Sequence, residues 1–215
     1  MGPLEHKSQN QQADPVLKAH LRIERYGDFL LTDAIRPGLR DAVYPRQGYR
    51  LDHYTLHGSN HSVPMLAAAV TREKLFDVFM DMLQPLGDCV DVVLETSHDH
   101  RDGGHTDHFR EGIELPILQS HCYDFEDFLL KDGCTGIAVL SQEKPLEVQF
   151  DEHKLLVVYG PDLPPFQKIL EAYGVFRNDA LKLITEGEHM HSTETSYQEM
   201  FVKMRLQLGI DNGQY

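Results

Sequence analysis

The chain has 215 residues, 41% of them hydrophobic, enough to bury a core without disulfides or a structural metal as staples. Its 34 acidic side chains against 20 basic ones leave a formal charge of -14. That field repels phosphate backbones and anionic lipid head groups, which excludes nucleic acid and membrane surfaces as partners and leaves a protein or a small molecule.

The three cysteines, Cys89, Cys122 and Cys134, have no C-x-x-C spacing and lie in or beside apolar runs. Reduced, buried thiols in a cytoplasmic protein are expected. The opening MGPLEHKSQNQQADP is too polar for an export signal, and His6 stands where N-myristoylation requires Ser or Thr. Apolar runs such as residues 64–70 are too short to span a bilayer.

Residues 1–13 have little to bury and read as a disordered tail ahead of one globular domain over 14–215. Asp14 and Pro15 signal a helix start, and the pattern runs to about Tyr26. Glycine and proline then cut residues 27–61 into loops and short strands, one of them along Tyr49 to His57 with Tyr49, Leu51 and His53 sharing a face. His53, His57 and His61 recur every fourth residue, but Gly58 argues against a helix there, so ordinary polar contacts are expected of them.

Residues 64–70 and 89–94 are short apolar runs on either side of a helical pattern headed by Thr71, in which Leu75, Phe76, Phe79, Met82 and Leu83 share a face. The order strand, helix, strand predicts a βαβ-like segment near residues 64–94, with its strands parallel if they join one sheet. A short strand over Ile113 to Leu118 and a compact helix from Asp124 to Gly133 follow. Thr135 to Leu140, Leu146 to Phe150 and His153 to Tyr159 read as an antiparallel meander because the links between them are short. A helix carries Phe166, Ile169, Leu170 and Tyr173 on one face, Leu181 to Thr185 reads as one more strand, and capping boxes at Thr195 and Ser196 open a last helix to Leu208. The fold class is α+β, with mixed α/β as the neighbouring choice: a mostly antiparallel sheet covered by helices.

The stretch Glu95 to Cys122 holds five of the thirteen histidines. Within it His98, His100, Asp102, His105 and His108 are candidate ligands for a divalent transition metal such as zinc, because imidazoles two residues apart on an extended segment point to one side. Residues 92–104, VVLETSHDHRDGG, resemble the metal-binding signature T-H-x-H-x-D-H-x-G-G of metallo-β-lactamase-like hydrolases. The resemblance implies a metal-dependent hydrolase in which His98 and His100 bind one metal and Asp102 a second. Gly103 replaces the histidine that follows the aspartate in that family, so one ligand of the second metal is missing. The alternative is a polar loop of His, Asp and Gly suited to turns and exposure. Glu186, Glu188, His189 and His191 read as a connection able to supply distant ligands.

Phosphate-loop, dinucleotide, serine-hydrolase and H-E-x-x-H signatures are missing from the sequence. The expected function is therefore a soluble intracellular binding or regulatory module that binds a divalent metal through its His/Asp-rich loop, with the hydrolase as alternative. The Met-bearing face of Tyr197 to Leu208 is core at that spacing, or else the contact surface of a homodimer.

Overall fold

The alternation of inward and outward side chains along the strands decides the architecture. In the computed structural model, which describes residues 15–55, 61–98 and 104–210, helix α1 (Pro15–Leu21) leads into short strands β1 (Arg25–Tyr26), β2 (Phe29–Leu30) and β3 (Ile35–Pro37). Then come β4 (Gly48–Thr55), β5 (Ser62–Ala69), α2 (Arg72–Met82), β6 (Cys89–Thr96) and β7 (Thr106–Glu114). The chain continues through α3 (Leu115–Asp124), α4 (Glu126–Lys131), β8 (Thr135–Ser141), β9 (Glu147–Phe150), β10 (Leu156–Tyr159), α5 (Pro164–Ala172), β11 (His189–His191) and α6 (Thr195–Gln207).

Seven strands form the main sheet in the order β4-β5-β10-β9-β8-β6-β7, and every ladder in it is antiparallel. The fold is α+β. Strands β5 and β6 are separated by β10, β9 and β8, so they run in the same direction, and α2 carries the chain across the meander. The predicted βαβ-like segment and the antiparallel meander are both present.

One sheet face is the core. Val90, Val92 and Leu94 of β6, Val148 and Phe150 of β9, and Leu156 and Val158 of β10 pack there with Phe79 of α2, Leu118 of α3, Phe128 of α4, Phe166 of α5 and Met204 of α6. Removing Phe79 alone would cost about 3–5 kcal/mol, because a fully buried aromatic leaves a cavity the surroundings cannot close. Phe201, Met204 and Leu208 are buried, so the last helix spends its apolar face on the core. The opposite face is only half covered. There Ala67, Ala69, Leu155 and Val157 lie under Phe29, Leu31, Ile35, Leu181, Leu183 and Ile184, which arrive on irregular chain and short strands.

Several local expectations are corrected. Ile113 to Leu118 is not a strand: β7 ends at Glu114 and Pro116 sits in the first turn of α3, where its missing N–H breaks no bond. Leu181 to Thr185 packs as irregular chain with a single 3-10 turn over Ile184–Glu186, and the strand lies further on, at β11. Helix α1 ends at Leu21. Glu194 precedes α6, and neither Thr195 nor Ser196 caps it. Thr71 does precede α2, but its hydroxyl accepts from Leu30 N (3.0 Å) and donates to Glu73 (3.0 Å), tying β2 to the helix start. Cys89 is exposed, as the first outward residue of β6, while Cys122 is fully buried and its thiol is pushed up to about 12 by burial. The expected tail and His57 lie outside the described residues.

Asp132, fully buried at the end of α4, joins three parts of the chain. Thr135 Oγ1 and Thr193 Oγ1 each donate to its carboxylate at 2.6 Å, and His98 Nε2 lies 3.2 Å from it. Burial alone would raise its pKa, but the hydrogen bonds from His98, Thr135 and Thr193 outweigh burial and hold the carboxyl below the usual aspartate range. Asp132→Ala is expected to destabilise the fold by about 3 kcal/mol in urea titration, since it strands the buried Thr135 hydroxyl and leaves His98 and Thr193 without their shared acceptor; a loss below about 0.5 kcal/mol would contradict this account. Because the folded pKa is depressed, this contribution is fully present above about pH 4 and disappears as the pH falls through the folded value. Asp132→Asn should therefore flatten that part of the acid-unfolding curve.

Candidate metal centre

Three histidines from two distant stretches meet where the half-covered sheet face gives way to solvent. His189 and His191, two residues apart on β11, point to one side, and β11 is held by antiparallel pairing to β3, with His189 opposite Pro37 and His191 opposite Ile35. His153 comes from the turn between β9 and β10. The ring centroids stand 4.8 Å (His153 to His191), 5.0 Å (His153 to His189) and 5.3 Å (His189 to His191) apart. One nitrogen of each ring lies within 4.8 Å of the other two.

Each ring is oriented by an oxygen at Nδ1. His189 Nδ1 donates to the Gly187 carbonyl at 2.8 Å, His191 Nδ1 to the Gly133 carbonyl at 2.6 Å, and His153 Nδ1 to Asp151 Oδ2 at 3.1 Å. Since all three oxygens are acceptors, the Nδ1 proton is fixed on each ring. Nε2 then carries the lone pair, and it has no hydrogen-bond partner among the described residues. An imidazole tethered through one nitrogen to a carbonyl or carboxylate, with the other free, is the usual arrangement of a metal-ligating histidine.

The supports of these tethers are themselves fixed. Gly133 N donates to Ser192 O at 2.8 Å, and a Cβ on Gly133 would overlap the carbonyl oxygen of Ala34 and the backbone of Ser192. A Cβ on Gly187 would stand 2.5 Å from Asp41 O. Both positions need glycine because another backbone passes through the space a side chain would fill. Asp151 closes the β9–β10 turn by accepting from Leu155 N at 2.8 Å as well as holding His153. Lys154, next along, takes a left-handed φ of 61° that directs its buried ammonium to Thr135 O at 2.9 Å, and burial lowers its pKa to about 8.

Burial works against the charged form of His153, yet the hydrogen bond and charge of Asp151, with Glu152, outweigh it and raise its pKa. For His191, the most exposed of the three, burial lowers the pKa, and the charges of His153 and His189 lower it further despite the Gly133 carbonyl. His153 also lines an open cleft of about 340 Å³ with Glu95, His105, Asp107, Gln149, Asp151 and Glu152. Glu95 accepts from Gln149 Nε2 at 3.1 Å; burial first, then the charges of Asp107 and Glu152, raise its pKa.

The loop expected to hold the metal is divided among several environments. His98 is engaged at both nitrogens, with Thr96 Oγ1 at 2.7 Å and Asp132 at 3.2 Å. Asp132 and Cys134 lie close enough to His98 to form a second possible ligand group, but these bonds already satisfy its donors. His108 turns to the core face, its ring 5.5 Å from that of Phe201, and burial lowers its pKa. His105 turns to the other face, with Nε2 3.6 Å from Glu152. It alone of the described candidates borders the three-histidine cluster; His100 and Asp102 lie outside the described residues.

His153 was legible only as the start of a strand, and His189 and His191 only as a polar connection. The available signal was H-x-H, two imidazoles on one side of an extended segment, beside D-E-H in a tight turn. Nothing in their spacing tells that β11 folds back against β3. Comparison with protein-family models, curated proteins and solved structures finds no match for this chain.

Gly133→Ala should displace the carbonyl that orients His191 and weaken zinc binding about 10- to 100-fold in calorimetric titration, the usual consequence of disturbing such a support. Unchanged affinity would mean that this carbonyl does not set the ligand.

Proposed function

We propose that this chain is a divalent-metal-binding protein whose centre is His153, His189 and His191, with zinc the ion that suits it best. The observation that carries this reading is the set of three imidazoles, each held at Nδ1 by an oxygen and each left with a free Nε2. Tetrahedral zinc with Zn–N bonds of about 2.0–2.1 Å places its ligand atoms about 3.4 Å apart, and each of the three rings brings one nitrogen within 4.8 Å of the other two. Imidazole ligands favour zinc, copper, nickel or iron over magnesium and calcium, which take oxygen. Glu152, beside His153, is the nearest candidate for a carboxylate ligand, since both oxygens of Asp151 are already engaged.

The protein as purified, without an affinity tag, is expected to hold one zinc per chain. Saturating metal should raise the melting temperature, because binding at 100 times Kd adds about 2.7 kcal/mol to the folded state. His153→Ala and His191→Ala should abolish both effects, and His98→Ala should retain them. Metal retained in the first two variants and lost in the third would move the site back to the 98–108 loop.

A second reading, metal-dependent hydrolysis, is favoured by the ligand count and the neighbouring cleft. Three histidines leave a coordination position free, as catalytic rather than structural zinc does. A bound divalent ion would supply Lewis-acid polarisation and a lowered pKa for water at that position. In the cleft, Glu95 is the carboxyl suited to proton transfer, because its surroundings favour the protonated form more than water does. On this reading zinc-loaded protein hydrolyses an activated ester such as p-nitrophenyl acetate, and Glu95→Gln lowers the rate about 100-fold while leaving zinc content unchanged. A rate unaffected by Glu95→Gln would leave metal binding without this chemistry.

A further inference from the structure

The open half of the outer sheet face holds a groove that none of the metal ligands line. Across it Glu147 of β9 stands directly opposite Tyr159 of β10, which in turn stands opposite Met65 of β5. The Tyr54 ring from β4 meets the Tyr159 ring edge to face, with centroids 5.6 Å apart and planes at 75°. Glu147, Tyr159 and Tyr54, with Val63, Leu140, Lys144 and Pro145, surround a groove of about 550 Å³, large enough for a small organic molecule.

The charge arrangement is what sets this groove apart. Glu147 is half-buried, and its carboxylate has neither a hydrogen-bond nor an ion-pair partner among the described residues. The only lysine in the lining, Lys144, has its ammonium near the carbonyl of Pro85, at 3.5 Å. Gln149 and Ser141, also in the lining, donate to Glu95 and to Leu86 O. Burial raises the Glu147 pKa; burial and the Glu147 charge together push Tyr159 up to about 12, so the phenol stays neutral.

A half-buried carboxylate without a counter-ion, beside two aromatic rings, has a specific electrostatic requirement. An anion would be repelled, and a neutral apolar ligand would bury the carboxylate further without pairing it. A hard metal ion needs several oxygen ligands, and a single carboxylate supplies too few. An organic cation meets both demands, because the negative faces of aromatic rings accept a diffuse positive charge while the carboxylate neutralises it. We propose that the groove bounded by Tyr54, Tyr159 and Glu147 binds a small alkylammonium ligand, its quaternary head against the tyrosine rings and Glu147 as its counter-ion. This assignment is independent of the metal centre: no residue of the groove belongs to the three-histidine cluster.

The sequence has nine tyrosines and no tryptophan, so intrinsic fluorescence is that of tyrosine, and Tyr54 and Tyr159 of the groove contribute to it. Choline is the probe and 3,3-dimethyl-1-butanol, its uncharged isostere, the control. Choline is expected to give a saturable signal with Kd of about 1 mM or tighter, with or without EDTA, and the isostere to bind at least about tenfold more weakly. Glu147→Gln and Tyr54→Leu should each weaken choline at least about tenfold with melting temperature unchanged, because both side chains lie on the outer face rather than in the core. No saturation by about 50 mM choline, equal binding of the isostere, or wild-type affinity in Glu147→Gln would each overturn the proposal.

Discussion

Gly133 is the constraint on which the rest of the site depends. Its N–H holds Ser192, its carbonyl holds the His191 ring, and the Ala34 backbone occupies the volume a side chain would need. These contacts fasten a strand of only three residues, which could not stand by itself, to the end of α4 and the edge of β3. Gly187 does the same for His189 at the strand's other end. Two imidazoles are thus positioned by main chain, which cannot rotate away as a side chain could.

The division of the sheet explains why such a cluster can exist in this chain. All five helices from α2 to α6 contribute to the core on one face, so hydrophobic stabilisation is concentrated there. The other face is left partly free for polar side chains that a two-sided core would exclude. Asp132 and Lys154 work at the boundary. The carboxylate gathers Thr135, Thr193 and His98, and the ammonium caps Thr135 O over the Phe150 ring, 5.2 Å from its centroid. Both charges are buried and hydrogen-bonded, the condition under which buried ions are tolerated. Both lie within a few residues of the cluster's supports.

Periodicity made most of the framework legible. Alternation marked a strand along Tyr49 to His57, of which β4 covers the part up to Thr55, the short links between residues 135 and 159 demanded a meander, and the helical faces of α2, α5 and α6 stood out from their apolar spacing. Where the reading failed, a short-range rule met a long-range contact. Leu181 and Leu183 alternate like a strand yet bury themselves on the outer face without pairing, while Glu188 to His191 look like a linker yet pair with β3. Pro116 ends no strand; it starts a helix. For the site, the density of histidine and aspartate over residues 98–108 drew attention because those residues are close in sequence. In an extended segment, closeness in sequence sends neighbours to opposite sheet faces, as His105 and His108 show. His153 lies 36 residues before His189, and only the folded chain joins them.

The three-histidine centre implies a coordination shell that can be read directly. X-ray absorption on the zinc-loaded protein is expected to show three imidazole nitrogens at about 2.0–2.1 Å, completed by oxygen and without sulfur. A sulfur shell at about 2.3 Å would place the metal at Cys134 beside His98, and fewer than three imidazoles would separate His153 from the β11 pair. Either result would contradict the centre described above.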